Sequence, residues 1–445
     1  MSEQQGKGTN WVAVITMMFI YGMISFVTNL AAPMGKVWLF QKGIDGSNML
    51  GMMGNMMNFA AYLFMGIPAG RLLAKKGYKF TAMAGIATGF VGVAIQFASG
   101  KVPFAADGNA IVPFCVYLLG AFVCGFAVCM LNMVVNPMLN LLGGGGNRGN
   151  QLNMIGTTFN SMAGTATPIL VGALIGQISK DTVVATVNPV MYIAMGVFAA
   201  AFVVLAFIPI ANPGQGTTTE SIPVLAPLRF RHCLLGVIGI FMYVGIEIGI
   251  PATMDLWLSS ANGPLMTSGN ADLVANAAKI GGMMAGTYWF LMLVGRTVGA
   301  FIGGKISSRV LMSFTTAVAI LLILVGTQVT SVESRFFVFT GSGFETVTVP
   351  LTAVLFALCG LMTSIMWPST FNLATEKLGK YTAAASGLFM VMVVGGGILP
   401  LVQNAIADKA GFMISYAIPV CALGYLFVYS CFLSKPPKDI DELVK

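Results

Sequence analysis

Twelve stretches of the chain carry apolar side chains for about twenty or more positions in succession, the length a helix needs to cross hydrocarbon. They fall near 11–35, 49–73, 79–99, 112–141, 152–178, 189–211, 233–258, 280–305, 309–328, 350–375, 382–407 and 412–434, and are numbered spans 1 to 12 below. None alternates apolar and polar residues over about ten positions, as a barrel strand does. Inside lipid only helices and closed barrels satisfy every backbone group. The pattern therefore predicts an all-α membrane protein. The apolar run opening at Trp11 follows ten polar residues and is too long for a signal-peptide core, so it reads as span 1.

The longest polar stretch in mid-chain, 212–231, separates six spans from six. It divides the chain into a first half (1–211), a cytoplasmic linker (212–231), a second half (232–434) and a cytoplasmic tail (435–445). Two six-helix groups suggest parallel pseudo-repeats about an axis along the membrane normal, the architecture of the major facilitator superfamily.

Composition agrees with lipid as the surrounding solvent. The chain is 57% hydrophobic and 9% charged, against roughly 25% charged in soluble domains. The net charge of +8 is explained by short basic loops, not nucleic acid. With the N-terminus inside, 16 of the 23 lysines and arginines fall on the cytoplasmic side, which places both termini in the cytoplasm. An inner-membrane, multi-pass location follows as the expectation. All seven cysteines lie in apolar segments without metal-ligand spacing. His232 is the only histidine, so Ser–His or metal–His catalysis has no footing and no enzyme is expected. The glycine run Gly143–Gly146 lacks the Gly-Lys-Ser/Thr ending of a phosphate loop and reads as a turn.

Polar residues inside spans carry the functional signal, because a charge at mid-membrane costs about 2.5–3.5 kcal/mol on insertion scales and usually marks a pathway. Two carboxylates lie well inside a span, Glu247 and Asp255, both on span 7. Their spacing of eight sets them on one face, about 12 Å apart. Glu247 in a low-dielectric cavity could carry a proton or accept bonds from substrate hydroxyls, and Asp255 is a second candidate for coupling. Amides are abundant: Asn29, Asn132, Asn136, Asn160, Asn372 and Gln403 each supply donors and acceptors, which suits a neutral polyhydroxylated ligand. Any single amide is more often helix–helix glue. Trp367 could offer a flat face to a sugar ring. No cofactor is expected beyond a coupling ion, H⁺ or Na⁺.

Gly70-Arg-Leu-Leu-Ala-Lys75-Lys-Gly77-Tyr-Lys79, between spans 2 and 3, resembles the superfamily's cytoplasmic G-x-x-x-D-R-x-G-R-K signature, with Ala74 in place of the aspartate. Gly295-Arg296-Thr-Val-Gly299 takes the corresponding place six spans later, so Arg296 is read as a cytoplasmic motif residue.

Met366-Trp-Pro-Ser-Thr-Phe371, Leu378-Gly-Lys-Tyr-Thr382, Gly395-Gly-Gly-Ile-Leu-Pro400-Leu-Val-Gln403 and Ala407-Asp408 together resemble the fucose/glucose–galactose permease group. Asn136-Pro137, Thr158-Phe-Asn160-Ser and Tyr243-Val-Gly-Ile-Glu247 resemble its stretches on spans 4, 5 and 7. The resemblance implies a monomeric transporter with a cavity between its halves, alternately exposed to each side, and a monosaccharide or sugar derivative as substrate. It also exposes a departure. Proton-coupled members carry an aspartate on span 1 and a glutamate on span 4. At the matching positions stand Asn29 and Asn132, which cannot titrate. Cation symport through Glu247 and uncoupled facilitation both stay open, and thirty-one methionines would also suit an exporter of apolar compounds.

Overall fold

The computed structural model describes residues 11–142, 146–175, 184–208, 223–302, 306–340, 343–378 and 381–437. The glycines at 143–145, most of the linker and the last eight residues of the tail lie outside these, as does the side chain of Asn136. The first half contains α1 (Trp11–Trp38), the single turn α2 (Asn48–Gly51), α3 (Met53–Ser99), α4 (Ile111–Leu142), α5 (Gly146–Ile175) and α6 (Asn188–Phe207). The second contains α7 (Arg231–Ser259), α8 (Ala271–Ile302), α9 (Ser308–Gly326), α10 (Leu351–Thr363), α11 (Met366–Ala374), α12 (Thr382–Met392), α13 (Gly395–Ala410), α14 (Phe412–Ser415) and α15 (Ala417–Val428).

Helix α3 holds spans 2 and 3, joined at Gly77, whose φ of 82° no residue with a side chain adopts readily. Spans 10, 11 and 12 are each broken once, into α10–α11, α12–α13 and α14–α15. Among the described residues, ten helical stretches are long and apolar enough to cross a membrane. The other two passes, the first arm of α3 and α5, carry more polar side chains. Polarity there is tolerated because these helices face other helices: α5 packs between α1 and α8, and α3 meets α12 and α13.

The signature at the bend of α3 has a structural role. Lys79 donates to the carbonyls of Ala206 (2.8 Å) and Ile208 (2.9 Å), satisfying the free end of α6. Lys75 is exposed and Gly70 half-buried. A Cβ on Gly70 would meet nothing closer than 3.8 Å, so no close contact requires a glycine there.

One element departs from the all-α expectation. Glu333–Phe339 (β1) and Phe344–Pro350 (β2) pair as an antiparallel hairpin between α9 and α10. Their alternating aromatic, β-branched and polar residues favour a strand, but the segment is too short to span and reads as loop when only spans are sought. The hairpin lies against α8: Phe339 and Phe344 pack on Phe290, and the Phe339 N–H donates to Thr287 Oγ1 at 3.1 Å.

The two halves approach closely where glycines remove side chains. Within the second half, a Cβ on Gly395 would fall 2.0 Å from the carbonyl oxygen of Phe241 on α7. Gly396 and Gly397 press on Phe59 and Met56 of α3, across the boundary between halves. Small residues permit such close helix contact.

Candidate functional site

The end of the bundle that the sequence reading expects to face outward is called the outer end below. There Lys36 of α1 donates to Asp255 of α7, with both side chains only 4% exposed. Gly281 of α8 makes the room: a Cβ there would sit 2.4 Å from Asp255 Oδ1. Two buried charges are tolerable only as a pair, and this pair joins the first half to the second.

Below it lies a small cavity of about 20 Å³, the room of a water or two. Thr28, Asn29, Asn55, Asp255 and Trp289 contribute to its wall, so both halves line it. Asn55 donates to the Gly396 carbonyl at 2.7 Å across the boundary. Its own Oδ1 is buried without a partner. Asn29 donates to Ser25 O at 2.9 Å.

At mid-depth stands the second ionic group. Glu247 Oε1 accepts from Tyr243 Oη (2.8 Å) and from Arg296 Nη2 (3.0 Å). Arg296 Nη1 donates to Ser161 Oγ (2.7 Å) and the Thr157 carbonyl (3.3 Å) on α5. The guanidinium thus ties α8 to α7 within its own half and to α5 of the other. Arg296, read from the sequence as a cytoplasmic motif residue of span 8, is engaged with the helices around it. Helix α8 runs from Ala271 to Ile302, and Arg296 falls inside its membrane-crossing stretch. Its planar fork of donors suits this double attachment.

The remaining sequence candidates divide. Trp367 packs on Tyr243, ring centroids 6.0 Å apart, and is half-buried. Asn132 donates to Tyr62 Oη at 2.8 Å. Asn160 reaches the Tyr21 carbonyl at 3.5 Å. Of these three, Trp367 borders the mid-depth group, whereas the contacts of Asn132 and Asn160 stay within the first half, α4 to α3 and α5 to α1. Gln403 is 1% exposed, and its Nε2 has no partner although buried; it packs against Gly249 of α7. Asn372 is exposed, more than a turn below Trp367, and joins none of these contacts among the described residues. Lys36, Tyr62, Ser161 and the pairing of Arg296 with Glu247 escape sequence reasoning. Lys36 sits at a span end where loop lysines are ordinary, and Ser161 and Tyr62 are unremarkable in any helix.

Three-dimensional likeness decides the fold. The structure superposes on the crystal structure of the fucose:proton symporter of E. coli with a TM-score of 0.63, at 18% identity, covering 95% of this chain and 98% of that one. On a D-xylose–proton symporter the TM-score is 0.68, at 13% identity, covering 94% and 97%. The chain has the major facilitator fold. In sequence it is 26% identical over 443 residues to a glucose/galactose transporter of Brucella abortus, covering 98% of this chain and 96% of that one. No family model matches the chain. The curated relatives of this chain are named as transporters, and its Lys36–Asp255 and Glu247–Arg296 groups sit where the two halves meet.

Proposed function

We propose that the chain is a secondary transporter of a monosaccharide or sugar derivative, working by alternating access. The observation that carries this reading is the Glu247–Arg296–Tyr243 cluster, ion-paired at mid-depth beside Trp367 and bridged to the opposite half through Ser161. Charges are retained at such a depth when a pathway requires them. The resemblance to glucose/galactose and fucose permeases supplies the substrate class.

The state described is closed at the outer end and holds a cavity too small for a sugar. Opening must part Lys36 from Asp255 and enlarge the space walled by Asn29, Asn55 and Trp289. Glu247 keeps one carboxylate oxygen clear of Tyr243 and Arg296, and its side chain is 13% exposed. That oxygen accepts a sugar hydroxyl or takes up a coupling cation. Asp255, expected from sequence as a coupling group, is assigned instead to the outer gate, because Lys36 already neutralises it. We place the protein in the inner membrane as a monomer with both termini cytoplasmic.

Uptake of radiolabelled sugars into proteoliposomes, under an imposed H⁺ gradient, an imposed Na⁺ gradient or none, tests the proposal. Accumulation above equilibrium under one gradient establishes symport with that ion. Equilibration alone establishes a facilitator, the reading favoured by Asn29 and Asn132, both engaged in neutral hydrogen bonds within the first half. Failure to move any sugar under all three conditions overturns the transport assignment.

A further inference from the structure

Asp408 belongs to the permease-like stretch of span 11, yet nothing in the central site uses it. It lies in the last turn of α13, next to Lys409. A carboxylate there faces the negative end of its own helix and is disfavoured by that helix's dipole. Its contacts explain the placement. Oδ2 accepts from Ser47 Oγ and the Met49 N–H, both at 2.9 Å. Oδ1 accepts from the Asn48 N–H at 2.7 Å and from Asn48 Nδ2 at 2.8 Å. All four donors belong to the first half, on the turn joining α1 to α3. The two backbone N–H groups open α2, where no intrahelical acceptor exists. Ser47 is held ready because its hydroxyl also accepts from Leu50 N.

We infer that Asp408 is the latch of the outer gate: its carboxylate clasps the Ser47–Met49 turn when the outer end is closed and must leave it for the outer end to open. This rests on the alternating-access reading and deepens it. The position is suited to a reversible device. The contacts are exposed, so on release water replaces each lost bond and the barrier stays low. Lys36–Asp255, by contrast, is buried and holds the same closure from within. The clasp is also one-sided: the acid comes from one half and every donor from the other, so the contact exists in one state only. A ligand or mutation acting on it shifts the populations without touching the sugar site.

The experiment reads conformation, not transport. Ala252 lines the inner cavity beneath the gate, and Ala252→Cys in a background without the exposed Cys115 and Cys421 reports outer opening through labelling by a membrane-impermeant maleimide. Asp408→Asn and Asp408→Ala are expected to raise the labelling rate about tenfold, the size set by losing charge-assisted bonds, with Asn48→Ala giving a smaller rise. Oxidising the pair Ser47→Cys/Asp408→Cys should abolish labelling, and reductant should restore it. Unchanged labelling in both Asp408 variants, with folding verified by thermal unfolding in detergent, overturns the latch. Raised labelling in a protein that moves no sugar would leave the latch standing and remove the sugar-transport reading, so the two fail separately.

Discussion

Replacing Asp255 by Asn leaves the Lys36 ammonium buried with neutral acceptors only, the new amide oxygen and the Ala278 carbonyl 3.4 Å away. Removing one partner from a buried ion pair costs about 3–5 kcal/mol, because the orphaned charge keeps its desolvation penalty. That cost applies only to the outer-closed state, since opening returns Lys36 to water. The equilibrium should therefore move toward outer-open by about 10²- to 10⁴-fold. Lys36→Met produces the mirror image, with Asp255 orphaned. The double variant Lys36→Met/Asp255→Leu removes both charges and should recover much of the closed population, because an apolar pair of similar volume is often neutral or stabilising there. The assay is maleimide labelling at Ala252→Cys, with unfolding temperature in detergent recorded in parallel. Single variants should label fast and the double variant slowly. If the effects of the two single changes simply add in the double variant, the side chains do not sense one another and the gate argument fails.

Further consequences can be measured on the same preparations. Glu247→Gln keeps the hydrogen bond from Tyr243 but removes the charge facing Arg296. Gradient-driven accumulation should be lost while equilibrative exchange of sugar persists, and full accumulation in this variant would sink the coupling role. Arg296→Lys preserves charge but cannot reach Glu247 and Ser161 together, so uptake should fall at least about tenfold, read as initial rate at saturating sugar. Asn132→Glu restores a titratable group at the permease position. Uptake should then rise when the outside is made more acidic than the inside, because only the protonated acid is neutral enough to cross the closed site, and a profile flat in pH argues against access of protons to that position. Gly397→Val pushes a branched side chain into Phe59 and the Met56 carbonyl, since even a bare Cβ at Gly397 would lie 2.8 Å from Phe59 Cβ; overpacking of about 1–3 kcal/mol or more should lower thermal stability and stall transport, whereas Gly387→Ala, with nothing within 4 Å, should be silent.

Features that depend on neighbours along the chain were legible in its sequence. Apolar run length set the helices and their number, because each span satisfies its own backbone. The runs around Trp367, Gly395–Gly397 and Gln403 announced the permease likeness, and Glu247 stood out because a carboxylate inside a span is costly. Which polar groups meet was settled by packing between helices. Lys36 and Asp255 are separated by 219 positions and Asn48 and Asp408 by 360, and no periodicity records such a pairing. Arg296 falls inside span 8 as read from the sequence, but its pairing with Glu247, 49 positions away, and with Ser161, 135 away, is likewise unrecorded in any local pattern. Helix formation is local, whereas the burial that makes an ion pair a gate or a centre depends on how separate helices are brought side by side.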